Sequence, residues 1–392
     1  MLYTNYTEKL LGLEDTFLKN VEHLSDGIHI HIQMHKRIHA CPRCGNPTSK
    51  VHDYRIQEVK DIPMLGFHTI LHIRKRRHKC PCCGKIFAEH ISFLPRYQRT
   101  TNRLWGYVIG QLASEKSMSR IGKEVSLSGT SIARILDHVN YHPKGLPQVL
   151  SIDEFRGNTD GEKFQCILTD PKKRKVIDIL PARKSDTLYE YFGNYNDRGN
   201  VKIVVMDMSS FFRNIMHNIF PKADIIADKF HVVRQVTWAF ENVRKTEQKK
   251  FAADRRKYFK RSRTLLLKDK QKLKPDELEQ VVNMLQISKR LAQAYYLKNE
   301  FYELMKSKDL AEAKKNMFNW MMHAQTAALP EFEDCIKTYT NWQTEILNAF
   351  KYGYTNGFTE GCNNRIKVIK RTGYGLQNFK RFRLRILHVF AN

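Results

Sequence analysis

The stretch Val149-Leu150-Ser151-Ile152-Asp153-Glu154-Phe155 decides the fold. Its apolar residues are too closely spaced for a helix face, and the run reads as a buried strand that ends in acids. Val201-Lys202-Ile203-Val204-Val205-Met206-Asp207 repeats the pattern, again apolar and again capped by a carboxylate. Lys163 to Thr169 and Lys175 to Leu180 read as two more strands, joined by Asp170-Pro171 and a basic turn. With the first strand they form an antiparallel meander. Thr187 to Phe192 starts a helix, Phe211 to Phe220 is an amphipathic helix, and Ala223 to Asp228 is a short fifth strand. Three strands, helix, strand, helix, strand is the alternation of a mixed α/β sheet.

The two strand-end acids set the chemical question. A carboxylate behind an apolar strand is costly to bury unless something compensates it, commonly a hydrogen bond or a metal. If the two strands are neighbours, Asp153 and Asp207 meet at one edge of the sheet. Further on, the Gly-rich loop Tyr352 to Phe358 leads into a helix that starts near Thr359-Glu360. Glu360, Asn364, Lys367 and Arg371 then fall on one helical face. An acid followed by an amide and two cations suits a metal ion followed by a phosphate chain. The same spacing also suits a favourable N-terminal Glu followed by a solvated basic face. Asp153, Asp207 and Glu360 together offer three hard oxygen ligands of the kind Mg²⁺ takes. Acids at strand ends are common, so spacing alone leaves the trio open. Asp228 and His231, just after the fifth strand, lie within reach of the same sheet edge, and His231 reads either as a group that orients a phosphate or water or as a hydrogen-bonded structural His at a helix start.

Ahead of the α/β stretch stand two knuckles, Cys41-Pro42-Arg43-Cys44-Gly45 and Cys80-Pro81-Cys82-Cys83-Gly84. Cys41, Cys44, Cys80 and Cys83 make the four soft ligands of a closed, structural Zn²⁺ site, with Cys82 a bystander. His29, His31, His35 and His39 alternate nearby and are not needed while four thiolates are present. Arg74, Lys75, Arg76 and Arg77 lead into the second knuckle and read as a phosphate-contacting strand, or as an edge strand kept apart by charge. Met118 to Val125 is a short amphipathic helix. Ser128 is a good N-cap for a second helix from Thr130 to Val139, which gives a helix-turn-helix with Thr130, Ser131 and Arg134 toward the groove. His142 to Pro147 is a linker by its Pro and Gly content. From about Val232 to Phe350 the pattern is helical and highly charged.

Lys plus Arg number 67 against 40 Asp plus Glu, a net charge of +27 that asks for a polyanionic partner. No apolar span or basic amphipathic anchor supports a membrane as that partner. Residues 1–24 mix charges throughout and lack the apolar core of a signal peptide, so a cytosolic protein with reduced cysteines is expected.

The order of these motifs resembles the ISL3 family of insertion-sequence transposases. The likeness rests on the paired knuckles, the helix-turn-helix, Ser151-Ile152-Asp153-Glu154-Phe155 and Val205-Met206-Asp207-Met208-Ser209. It rests also on Ala227-Asp228-Lys229-Phe230-His231-Val232-Val233 and Thr359-Glu360-Gly361-Cys362-Asn363-Asn364-Arg365-Ile366-Lys367. The resemblance implies a DDE catalytic domain of the ribonuclease-H-like fold, with Asp153, Asp207 and Glu360 as its triad on Mg²⁺ (or Mn²⁺ in its place) and a helical insertion inside it. The expected division is a zinc-binding domain at 1–95 and a helix-turn-helix domain at 96–145. A catalytic domain at 146–240 and 346–392 follows, with the insertion at 241–345. The implied activity is binding of double-stranded DNA at the element's inverted repeats, metal-dependent cleavage, and strand transfer into target DNA. Lys367, Lys370 and Arg371 would hold terminal phosphates, and cutting two ends implies a homo-oligomer on DNA. A non-catalytic DNA-binding regulator with the same front modules and an inert α/β body, and a structure-selective nuclease with the same metal chemistry but no strand transfer, remain as alternatives.

Overall fold

The computed structural model describes residues 9–261, 263–373 and 376–391. It divides into two compact units, one of residues 1–141 with 366–392, the other of residues 142–365.

In the first unit, β1 (Thr16–Leu24), β2 (Gly27–Met34), β5 (Val51–Met64), β6 (Phe67–Lys79) and β7 (Ile86–Ala88) form one sheet, while the short β3 (His39–Ala40) and β4 (Pro47–Thr48) pair with each other. The sheet order is β1-β2-β6-β5, with β7 on the end of β6. The long β5–β6 hairpin closes on Leu65 and Gly66, both at positive φ, so the turn matches the right-handed twist of its strands. Ile30, Ile32, Val59, Leu71 and Ile73 bury one face of the sheet. After it come α1 (Asn102–Gln111), α2 (Met118–Glu124) and α3 (Gly129–Leu136). Ser117 and Ser128 cap α2 and α3 as hydrogen-bond acceptors. Ile132, Ile135 and Leu136 of α3 pack with Leu104, Val108 and Ile121.

The second unit is built on β8 (Val149–Phe155), β9 (Gln165–Asp170) and β10 (Lys175–Leu180), followed by α4 (Ser185–Gly193), β11 (Ile203–Met206), α5 (Ser210–Ile219) and β12 (Asp224–Ala227). The sheet order is β10-β9-β8-β11-β12. The first three strands are antiparallel, and β11 and β12 run parallel to β8. Then come α6 (Lys229–Lys249), α7 (Ala253–Arg261), α8 (Arg263–Leu267), α9 (Pro275–Ile287), α10 (Lys289–Leu304), α11 (Leu310–Thr326), α12 (Pro330–Asn341) and α13 (Gln343–Tyr352). Trp320, Phe301, Phe332 and Tyr339 join the sheet residues in one continuous core, so the helical segment is no separate body. On α13, Asn348 donates to the Ile225 carbonyl at 2.8 Å and Lys351 pairs with Asp224 at 3.2 Å, which returns the chain to β12. Gly353, left-handed at φ +72°, ends α13, and α14 (Gly357–Thr372) begins four residues on.

The last helix, α15 (Phe379–Ala391), lies in the first unit. The sequence placed 346–392 wholly in the catalytic domain, whereas the compact second unit ends at Arg365. Arg385 explains part of the difference. It is buried, and its guanidinium donates to the carbonyls of Leu112, Ser114 and Lys116 ahead of α2, in the first unit.

Candidate active site

Strand register places the first two acids. Val205 of β11 is opposite Ser151 of β8 in a parallel pair. Two residues further along each strand come Asp207 and Asp153, at the same level and on the same side, because side chains alternate with period two. Met206 is opposite Ala227 of β12, so Asp228 stands level with Asp207 on the next strand. Three carboxylates thus line the end of the sheet that faces the C-termini of its parallel strands.

The third expected acid arrives on α14, and a buried polar network fixes where that helix begins. The Thr359 hydroxyl lies 3.0 Å from Ser151 Oγ and 2.8 Å from Thr169 Oγ1. Ser151 also donates to Asn356 Oδ1. The Asn356 backbone N–H donates to Asp228 Oδ1 at 3.0 Å, and its carbonyl accepts from the Glu360 N–H at 2.9 Å. Ser151, Thr169, Asn356 and Thr359 have no solvent exposure, so each bond is made where an unmade one would be costly. Sequence reasoning quoted Ser151 and Thr359 only as parts of motifs and passed over Thr169 and Asn356. A polar residue interrupting an apolar strand, as Ser151 does, was the available signal.

The acids raise one another. Burial, then the charges of Asp207, Asp228 and Glu360, push Asp153 up to about 8. Burial and the charges of Asp228 and Glu154 push Asp207 up to about 7. Glu360 therefore shares the field of Asp153. The tightest group, however, is Asp207, Asp228 and His231, whose ligand atoms all lie within 4.8 Å of one another. His231 Nε2 is 3.1 Å from Asp207 Oδ1 without the alignment of a hydrogen bond, and burial holds the ring below its usual range. Asp207 Oδ1 and Asp228 Oδ2 are buried with no hydrogen-bond donor among the described residues. Asp153 differs: Oδ1 accepts from the Glu154 N–H at 2.8 Å, and Oδ2 from Asn363 Nδ2 at 2.8 Å. Asn363 sits one turn after Glu360 and was assigned no role from sequence.

In the first unit Cys41, Cys44, Cys80 and Cys83 converge, with Cys41 Sγ 3.5 Å from Cys83 Sγ and Cys44 Sγ 3.6 Å from Cys80 Sγ. The knuckles are built alike. The Gly45 and Gly84 N–H groups donate to the Cys41 and Cys80 carbonyls, and both glycines take positive φ, +73° and +70°. The Cys83 backbone N–H leads the contacts that lower the Cys80 thiol, which favours the thiolate a metal needs. Cys82 is exposed and outside the cluster.

The expected DNA-contacting residues divide. Arg74 is exposed, its guanidinium 4.0 Å from the Tyr54 ring centroid. Lys75 donates to Gln57 at 2.8 Å and Arg77 pairs with Asp53 at 3.1 Å. Arg76 is a correction: it is 4% exposed and locked to Glu89 at 3.1 Å, because the chain just after β7 lays Glu89 over it, while Arg74 on the same face of β6 stays exposed. On α3, Thr130 and Arg134 are exposed and Ser131 is half-buried against the Ser128 cap. Lys367 and Arg371 are exposed and Lys370 half-buried, all on the later turns of α14.

Two family profiles match the chain. One, described as "Transposase" and belonging to the DDE group of ISL3, covers residues 150–386. The other, described as a zinc-finger of transposase IS204/IS1001/IS1096/IS1165, covers residues 37–83 and so takes in all four clustered cysteines. A transposase for insertion sequence element IS1001 from Bordetella parapertussis is 28% identical over 100% of this chain and 99% of its own. A transposase for insertion sequence element IS1557 from Mycobacterium tuberculosis is 22% identical over 55% of this chain and 54% of its own. A Lactococcus lactis protein named ATP-dependent protease is 33% identical, but over 28% of this chain and 34% of its own. The four-thiol cluster inside the zinc-finger match supports a structural Zn²⁺. Among the described residues no helix is long and apolar enough to cross a membrane. With the transposase profile spanning both strand-end acids and the helix of Glu360, the chain belongs to the ISL3 family of DDE transposases.

Proposed function

We propose that the second unit is a ribonuclease-H-like nuclease and strand-transferase core, and that the first unit recognises the ends of the element. The observation that carries the catalytic part is the alignment of Asp153 and Asp207 on neighbouring strands, with the start of the Glu360 helix tied to Ser151 of the same sheet. A meander of three antiparallel strands followed by two parallel ones, in the order β10-β9-β8-β11-β12, supports the ribonuclease-H-like reading. The residues fit a hard divalent cation. Among the described residues two buried carboxylate oxygens lack donors, and two carboxyls are driven toward their protonated forms first by burial and then by neighbouring acid charge that a cation would offset.

Asp153, Asp207 and Glu360 would hold Mg²⁺ or Mn²⁺. When bound, such ions activate an attacking oxygen and stabilise the leaving one in in-line phosphoryl transfer. The remaining tasks fall to the chain. Asp228 fixes Asn356 and hence the start of α14, and so sets where Glu360 stands. Asn363 holds the Asp153 carboxylate in one rotamer. His231 stands 3.1 Å from Asp207, and burial lowers its proton affinity, which favours the neutral ring. Water attacks the phosphorus at the element end and displaces the element's 3′-oxygen as a free hydroxyl, which then attacks a target phosphodiester and displaces a 3′-oxygen of the target strand. Lys367, Lys370 and Arg371 continue along the Glu360 helix as phosphate contacts.

In the first unit, α2, the turn and α3 form the helix-turn-helix. A groove of about 860 Å³ beside α3 is lined by apolar side chains such as Ile56, Trp105 and Ile135, with Arg99 and Arg134 as the cations open to a phosphate and Glu58 beside them. Two ends must be cut together, so a homo-oligomer assembles on DNA. A purely regulatory protein would leave the crowded acids without a task. The test is Asp207→Asn, which should abolish Mg²⁺-dependent cleavage of a labelled terminal fragment while binding to that fragment stays near wild type. Retained cleavage overturns the assignment.

A further inference from the structure

The first turns of α6 carry a stripe that the catalytic reading leaves unused. Phe230, Arg234 and Trp238 recur every fourth residue, so they share one face of the helix. Phe230 is 57% and Trp238 49% exposed, and Arg234 is exposed with them. This is not the core face of α6, since Val232, Val236, Ala239 and Phe240 fill the interior. The Arg234 guanidinium lies 4.3 Å from the Trp238 ring centroid and covers one face of the indole. The stripe begins two residues after Asp228, beside His231, and the Arg234 charge reaches Asp207 and His231.

Exposed aromatic rings flanking a cation call for a ligand with flat faces and negative charge. Duplex DNA offers phosphates, but its bases are stacked on one another. A lipid surface would want a broader apolar patch without the arginine. Unpaired nucleotides present both a π-face and a phosphate, and aromatic platforms take them with little regard to sequence. The chain's +27 charge points the same way. Four residues of helix advance about 6 Å, so the stripe runs about 12 Å, room for about three stacked bases at 3.4 Å each. We propose that Phe230, Arg234 and Trp238 form a stacking platform for unpaired nucleotides of the DNA strand passing the acid cluster. The proposal rests on the reading of the second unit as a DNA-cutting core.

Trp238 reports on itself. Trp320 and Trp342 are buried and Trp105 is half-buried, so quenching by a stacked base falls chiefly on Trp238. In full-length Asp207→Asn protein, single-stranded oligothymidylate should quench the fluorescence saturably, and a blunt duplex of equal length should not. Trp238→Ala should remove the quench and weaken single-strand binding roughly ten- to a hundredfold, with binding of a blunt terminal duplex unchanged in gel shift. Arg234→Ala should weaken single-strand binding as well. Equal single-strand affinity in the parent and Trp238→Ala proteins overturns the platform. So does a fluorescence change that follows protein concentration without DNA, which would make a second copy the occupant. Wild-type protein that cuts no DNA with Mg²⁺ would undo the catalytic reading and leave the quench untouched. Intact cleavage without a quench would undo the platform alone.

Discussion

Replacing Asp153 by Asn should stabilise the protein in the absence of divalent metal while destroying its cleavage activity. The wild-type carboxyl is raised from 3.8 to about 8 by burial and by the charges of Asp207, Asp228 and Glu360. A carboxyl whose folded pKa exceeds its unfolded one lends stability below the ordinary carboxylate range, and that stability is lost as pH climbs through the folded value. At pH 8.5 the folded wild type therefore carries the penalty of a crowded anion, whereas at pH 5.5 it carries a neutral carboxylic acid. About four pKa units at 1.36 kcal/mol each set a ceiling of about 5–6 kcal/mol. Rotation of neighbouring side chains and entry of water reduce it to about 1–3 kcal/mol. For a body of this size that is roughly 2–10 °C in melting temperature. The assay is thermal unfolding with zinc retained and no added Mg²⁺, at both pH values. The Asn variant should melt higher than wild type at pH 8.5, and the gap should narrow at pH 5.5. Added Mg²⁺ should raise the wild-type melting temperature at pH 8.5 and leave the variant nearly unmoved. A variant that melts below wild type at pH 8.5, or a gap independent of pH, would refute the penalty that burial and neighbouring acids place on the Asp153 anion.

Cys80→Ser should remove the bound zinc and unfold the knuckles, so metal analysis should find the zinc gone and terminal-fragment binding should fall at least tenfold; retained stoichiometric zinc would contradict the site. Asn356→Ala removes the acceptor of Ser151 Oγ and should lower stability by about 1–3 kcal/mol, measured by denaturant unfolding. The same variant should slow cleavage by at least tenfold, with affinity for the terminal fragment unchanged. Arg134→Ala should weaken end binding by about 1–3 kcal/mol and relax sequence discrimination in competition gel shifts, whereas a uniform loss on all sequences would make Arg134 a phosphate contact. Glu89→Ala should destabilise the first unit by about 3–5 kcal/mol, because it strands the buried Arg76 charge; thermal unfolding checks it.

What could be read from sequence was what depends on short-range pattern. Apolar runs capped by Asp153 and Asp207 gave strands β8 and β11, and Ser128 gave the start of α3. The repeated knuckles gave the four thiols that the structure gathers. What stayed hidden depends on partners far along the chain. Arg76 read as one more surface cation because nothing local reveals Glu89 across the β6–β7 pairing. Thr169 and Asn356 look like ordinary strand and loop residues until Thr359 and Ser151 are brought against them. Asp228 was noticed but not placed, since its standing beside Asp207 follows from the β11–β12 register and not from spacing. The division at Arg365 was equally illegible, because α14 is one uninterrupted helix in sequence and in space.

The long separation between the bonded partners at the start of α14 has a consequence for biosynthesis. Ser151 meets its partners 205 and 208 residues downstream. A ribosome that has finished the strands bearing Asp153 and Asp207 must still add every helix from α6 to α13 before Glu360 exists at all. A product truncated before Glu360 lacks the third acid of the proposed set, and should therefore lack the proposed cleavage activity.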